Sequence, residues 1–104
     1  MRFKHWFVLL LAAGAGTTAL AQNAAALHAR ALAATCANCH GTEGVATDGS
    51  AVPSLAGMPK DYMLKQLAAF KDGSRPATVM NQLVKGLTDE QVQSVASYFA
   101  ALKR

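Results

Sequence analysis

The feature that most constrains the fold of this chain is the pentapeptide CANCH, which places Cys36, Cys39 and His40 within five residues. The chain has 104 residues and no other cysteine, so we expect no more than one domain. A disulfide across two intervening residues closes almost no loop and would stabilise little. Small domains bury a small core and usually need a metal, several disulfides or a large cofactor. The motif is therefore the place to look for such a stabilising group.

Three chemistries use two cysteines at this spacing. A thioredoxin-like pair lies in a βαβ unit, and no segment here has the alternation of apolar and polar residues that is typical of a strand. A structural zinc ion takes four ligands, and the adjacent Cys39 and His40 are poorly placed to bind one ion. C-x-x-C-H is the attachment signal for c-type haem. The sequence therefore predicts one covalent haem, bonded to Cys36 and Cys39, with His40 on the iron.

The N-terminus has the pattern of a secretory signal peptide. Arg2, Lys4 and His5 precede an apolar run, Trp6 to Gly16, and the small-x-small tripeptide from Ala19 to Ala21 follows it. The apolar run has about 11 residues, fewer than the roughly 20 that cross a bilayer. We expect cleavage after the tripeptide, and retention of the segment as an anchor is the alternative.

Cleavage would divide the chain into a signal peptide, residues 1–21, and a single-haem domain, residues 22–104. This predicts a periplasmic protein without a stable membrane span. The whole chain has a formal charge of +4, and the predicted domain keeps eight basic and six acidic residues. It has no dense basic run, which argues against nucleic acid as a partner.

Helical periodicity predicts an all-α fold with three main helices. The first begins at Asn23 as its N-cap and runs to the motif, and the second covers residues 59–71. The last begins after Thr88, which has Gln91 three residues later, as in a capping box. The segment MNQLVK predicts a short helical turn before it.

A second iron ligand must come from elsewhere in the chain. His28 precedes the motif on the same helix, about 12 Å along its axis from Cys36, and we expect it on the surface. Met63 has the spacing of a core residue. Met80 lies 40 residues beyond His40, far enough for the chain to pass around a haem. We therefore expect Met80 as the ligand, with Met58 as the alternative.

Nearly all of the predicted domain, residues 22–104, resembles the class I c-type cytochromes. The resemblance rests on CANCH, on VPSLAG and on LTDEQVQSVASYFAAL, which is similar to the C-terminal helix of the family. It implies a small fold wrapped around one haem. It also implies that the carbonyl of Pro53 accepts a hydrogen bond from the haem histidine, which fixes the ring, and that Tyr98 or Phe99 packs on the first helix.

Within the class, the chain is most similar to the haem subunit of flavocytochrome c sulfide dehydrogenase and to the cytochrome c4 type. The segment DYMLKQLAAFKDGSRPATVM resembles the former, in which RPAT precedes the ligand methionine. Members of the c4 type carry two haem domains, whereas this chain has one attachment motif.

Histidine and methionine together saturate the iron, which suits transfer of single electrons rather than catalysis. We therefore expect an electron-transfer protein and not an enzyme. The resemblance implies a haem subunit that accepts electrons from a flavoprotein oxidising sulfide. The alternatives are a freely diffusing carrier between a periplasmic dehydrogenase and a terminal oxidase and, in another class, a haem enzyme or gas sensor.

Five basic residues of the second half either steer an acidic partner or are simply solvated: Lys60, Lys65, Lys71, Arg75 and Lys85.

Overall fold

The structure is a computed structural model that describes the backbone of residues 3–104 and the side chains of residues 16–104. The described residues form helices and no β-strand, which confirms the predicted all-α class. In chain order the elements are helix α1 (Phe3–His40), a 3-10 turn (Thr42–Gly44), α2 (Lys60–Asp72), α3 (Met80–Lys85) and α4 (Asp89–Ala101). Helices α1, α2 and α4 are the three main helices, and α3 has six residues.

Helix α1 is longer than the sequence pattern predicts. It runs through Asn23 without a break, so the expectation that Asn23 is an N-cap is wrong. Alanine is the strongest helix former, and the alanines on both sides of Asn23 favour a continuous helix over a new start. The basic residues and most of the apolar run behind the signal-peptide prediction lie outside the residues whose side chains are described. Among the described residues, no helix combines the length and apolar character needed to cross a membrane.

Helix α2 follows Pro59 and stops at Gly73, whose left-handed backbone (φ 83°) ends it. Its buried residues are Met63 and Leu67, which are 3% and 9% exposed. They are four residues apart and therefore lie on one face of the helix. This face packs on α3 and α4.

The capping box that the sequence predicts is present at the start of α4. The Thr88 hydroxyl accepts a hydrogen bond from the Gln91 amide at 3.2 Å. In return, the Gln91 side-chain oxygen accepts one from the Thr88 amide at 2.9 Å. Two amides that the helix itself leaves unpaired are thereby satisfied.

The core lies between the second half of α1 and the three later helices. Ala33 on α1 and Ala96 on α4 are almost completely buried, and small residues at a helix crossing allow close approach. Phe99 belongs to the same cluster as Ala33, in agreement with the expected packing of α4 on α1. The buried apolar members of the cluster are Ala33, Met63, Leu67, Val84, Val95, Ala96 and Phe99.

Candidate functional site

The residues of the CANCH motif occupy the last turn of α1. Residues three and four apart on a helix are neighbours on its surface, so Cys36, Cys39 and His40 project from the same side. The two cysteines do not form a disulfide with each other, and Cys36 is half-buried whereas Cys39 is exposed. Burial raises the pKa of the Cys36 thiol, and the nearby Thr35 hydroxyl partly opposes this effect. Two thiols and an imidazole are thus presented together by one rigid element.

A glycine ends α1 directly after His40. Gly41 has a positive φ of 90°, and a Cβ atom at this position would lie 1.9 Å from the carbonyl oxygen of Val45. A side chain here would collide with backbone that cannot move aside, so glycine is required. Helix α1 therefore ends with His40 as its final residue.

The His40 side chain is buried, with 8% of its surface exposed. Its Nδ1 atom lies 2.6 Å from the carbonyl oxygen of Pro53. Because a carbonyl oxygen only accepts hydrogen bonds, Nδ1 is the donor, and a neutral ring then keeps its Nε2 lone pair free. This arrangement fixes the tautomer and orients the ring as a metal ligand requires. The structure thus brings Pro53 to His40, and its role towards a haem stays a prediction.

The loop of residues 45–59, which carries the Pro53 carbonyl, is hydrogen-bonded at several points to the rest of the domain. The carbonyl of Gly44 accepts a hydrogen bond from the Ala56 amide at 3.1 Å, and the carbonyl of Phe99 accepts one from the Gly57 amide at 2.8 Å. Near the C-terminus, Arg104 Nε donates to the carbonyl of Ala56 at 3.2 Å. The position of the His40 partner therefore depends on α4 and on the residues that follow it.

The candidates for a second iron ligand occupy three different environments. Met63 is buried in the core, as its spacing predicts, and His28 is exposed on α1. Met58 and Met80 are both half-buried and pack against the core. Met80 is the first residue of α3. Burial does not separate these two methionines, and Met80 stays the predicted ligand on the grounds of its place in the chain.

One polar contact beside the site has no counterpart in the sequence analysis. The Tyr98 hydroxyl donates to Glu43 Oε2 at 2.8 Å, and Arg30 lies 3.5 Å from the other carboxylate oxygen. Glu43 has left-handed backbone, with φ 54°. Tyr98 and Glu43 are 55 residues apart, and no local pattern signals such a pair.

The donor set fits the predicted haem. Two thiols and one imidazole with a free Nε2 lie on one side of a helix end. Val45 follows His40 by five residues and is 54% exposed, and Val79 directly precedes Met80 and is 56% exposed. Leu83 on α3 is also exposed. These side chains offer apolar contacts to a flat macrocycle. Among the described residues, no group of three or more histidine, cysteine or acidic side chains is arranged to hold a metal ion.

Comparison with known proteins gives consistent matches. The model of the cytochrome c family matches residues 24–103. The chain is 41% identical over 73 residues to the cytochrome subunit of sulfide dehydrogenase from Chlorobaculum tepidum, which covers 70% of this chain and 64% of the relative. It is also 41% identical over 71 residues to a thiosulfate dehydrogenase electron acceptor from Thiomonas intermedia, covering 68% of this chain and 33% of the relative.

Among solved structures, the fold is similar to cytochrome c4 from Acidithiobacillus ferrooxidans. The TM-score is 0.60 and the identity 39%, over 64% of this chain and 38% of that chain. This chain therefore spans less than two thirds of the length of each of these three proteins.

Proposed function

The chain belongs to the cytochrome c family, and on that premise we propose that it is an exported haem subunit that accepts single electrons from a sulfide-oxidising flavoprotein. The general part of this assignment follows from the family and the relatives. The protein is a c-type cytochrome that carries covalent haem c and transfers electrons, and it is not itself an enzyme. The specific partner, the export and the residues that hold the haem are the proposed part.

In this proposal the thiols of Cys36 and Cys39 attach the haem, and His40 Nε2 and the Met80 thioether ligate the iron. A haem iron held by histidine and methionine exchanges one electron between its ferrous and ferric forms, and the methionine raises its potential. The observation that carries the assignment is the short contact from buried His40 Nδ1 to the Pro53 carbonyl. Held in this way, the ring offers Nε2 in one fixed direction from the helix that bears both thiols.

The sulfide link is supported by the similarity to the sulfide dehydrogenase subunit. Export is supported by the N-terminal pattern, which ends in the tripeptide before Gln22. The absorption spectrum of the protein purified gently from its native source tests the proposal. We expect haem c bands together with flavin bands in a fixed ratio, and anaerobic addition of sulfide should reduce the haem.

A second candidate, a freely diffusing carrier, is favoured by the similarity to a protein named as an electron acceptor. In that case the haem bands appear without flavin, and sulfide reduces the haem only after a separate dehydrogenase is added. A preparation that contains no haem would contradict both candidates.

The second ligand is tested by a matched pair of variants, Met80→Ala and Met58→Ala. Both side chains are half-buried against the core, so the two substitutions remove similar packing. We expect loss of the iron–thioether absorption band of the ferric protein in Met80→Ala alone. Loss of this band in Met58→Ala instead would transfer the assignment to Met58.

A further inference from the structure

We propose that Asn81 is a positioning residue for the Met80 ligand. The proposal rests on the proposed function, because it requires Met80 to bind the iron. Its basis is a set of contacts that join the residue after Met80 to the end of α2. The Asn81 side-chain nitrogen donates to the carbonyl of Phe70 at 2.7 Å and to the carbonyl of Arg75 at 3.2 Å.

The first of these bonds satisfies the end of a helix. The last four carbonyls of an α-helix have no partner within it, and Phe70 is among the last four residues of α2. The carbonyl of Ala69, one residue earlier, accepts from the Arg75 amide at 3.0 Å. Asn81 thus supplies, from a different helix, a donor that α2 lacks.

The second bond attaches the loop between the two helices, residues 73–79. Arg75 lies in this loop, and its guanidinium carbon is 4.6 Å from the centre of the Phe70 ring. The same guanidinium donates to the side-chain oxygen of Gln66. Arg75 is therefore bound to α2 through its side chain and through its backbone amide, while its carbonyl accepts from Asn81.

These contacts matter because the loop has little packing of its own. Every residue from Lys71 to Val79 is exposed, so apolar burial cannot hold the segment that leads to Met80. Asn81 is half-buried, and its two hydrogen bonds fix the start of α3 relative to α2. A methionine next to a fixed residue has few backbone positions available, which limits the region that its sulfur can reach.

The test measures how readily an added ligand displaces the methionine. Imidazole is titrated into the ferric holoprotein, and loss of the iron–thioether band reports displacement. Asn81→Ala removes two hydrogen bonds that together contribute about 2 kcal/mol, so we expect the apparent imidazole affinity to increase roughly thirtyfold. Alanine is a better helix former than asparagine, so this loosening cannot come from a weaker α3.

The matched control is Gln82→Ala, which removes an amide side chain from the next residue of α3. Gln82 is exposed, and we expect the Gln82→Ala holoprotein to bind imidazole with the same affinity as the unaltered protein. Asn81→Asp serves if Asn81→Ala yields no holoprotein, since it keeps the side-chain size and replaces both N–H donors with oxygen. It should increase the affinity at least as much.

Equal imidazole affinities for Asn81→Ala and Gln82→Ala would overturn the positioning role. That result leaves the proposed function intact if Met80→Ala still abolishes the thioether band. If Met80→Ala keeps the band, the ligand assignment fails, and the positioning role fails with it.

Discussion

The Nδ1 atom of His40 lies 2.6 Å from the carbonyl oxygen of Pro53, a residue 13 positions further along the chain. Pro53 makes this contact through its backbone carbonyl, so the position of the acceptor depends on the shape of the loop and not on the identity of a side chain. Hydrogen bonds from this loop to Gly44 and Phe99 fix that shape. The orientation of the proposed haem ligand is therefore set by residues of other elements.

Gly44→Ala should destabilise the protein by about 2–4 kcal/mol. Gly44 has a positive φ of 74°, and a Cβ atom there would lie 2.7 Å from the Phe99 ring. The left-handed backbone costs a non-glycine residue about 1 kcal/mol, and overpacking of a tight core costs about 1–3 kcal/mol more. Denaturant unfolding of the holoprotein measures the loss.

Gly49→Ala is the matched control for this substitution. Gly49 has nearly the same φ, 78°, but nothing lies within 4 Å of the added Cβ, so only the backbone cost of about 1 kcal/mol remains. The clash is also testable by a double variant with Phe99→Leu, whose effect should be smaller than the sum of the single effects. Equal losses in Gly44→Ala and Gly49→Ala, or strict additivity, would rule out the contact with Phe99.

The parts of the fold that the sequence predicts are those determined by residues close together in the chain. Thr88 and Gln91 are three residues apart and identify the start of α4, and Met63 and Leu67 are four apart and identify the core face of α2. The haem motif is equally local. Asn23 is the exception, because it has the chemistry of a cap but lies between strong helix formers that continue the helix through it.

The contacts that the sequence does not predict join distant residues. Asn81 binds a carbonyl 11 residues away, and an asparagine beside a loop gives no sign of such a partner. Arg75 has the charge expected of a partner-steering residue, yet it packs on Phe70. Lys71, another residue of the predicted basic group, lies 3.3 Å from Asp89. Charge alone does not reveal which basic side chains are engaged within the domain.

Thr88→Ala should destabilise the protein by about 1 kcal/mol, the usual cost of removing an N-cap. The hydroxyl accepts from the Gln91 amide, and without it this amide at the start of α4 loses its partner. Thr88→Ser keeps the oxygen and should remain within a few tenths of a kcal/mol of the unaltered protein. Denaturant unfolding distinguishes the two, and equal destabilisation by both variants would show that the methyl group matters instead of the cap.

Export with cleavage after Ala21 predicts a mature protein that begins at Gln22. Intact-mass measurement of the exported holoprotein, corrected for one haem, tests this prediction. Ala21→Phe should block processing because the peptidase requires a small residue there. Leu20→Phe alters the unrestricted middle position and should leave the mature mass unchanged. A mature protein that retains residues 1–21 would favour the anchor alternative.

The last prediction concerns pH and the contact between α4 and the turn after α1. The hydrogen bond to Glu43, followed by smaller contributions that include the carboxylate charge, raises the pKa of Tyr98. The neutral phenol is thus favoured in the folded state. The stabilising contribution of Tyr98 is then complete below the ordinary tyrosine pKa of about 10 and is lost as pH rises through the higher folded value.

Tyr98→Phe removes this hydroxyl, so the difference in unfolding free energy between the unaltered protein and Tyr98→Phe should be constant from about pH 7 to 9 and should shrink above about pH 10. Tyr62→Phe is the control, because Tyr62 is 51% exposed and its hydroxyl has no hydrogen bond among the described residues. This variant measures the effect of losing a tyrosine hydroxyl that makes no such contact. Glu43→Gln removes the charge but keeps an acceptor oxygen, so it should reduce the pH dependence seen with Tyr98 only in part. A Tyr98→Phe difference that stays flat above pH 10 would show that the contact with Glu43 does not persist in solution.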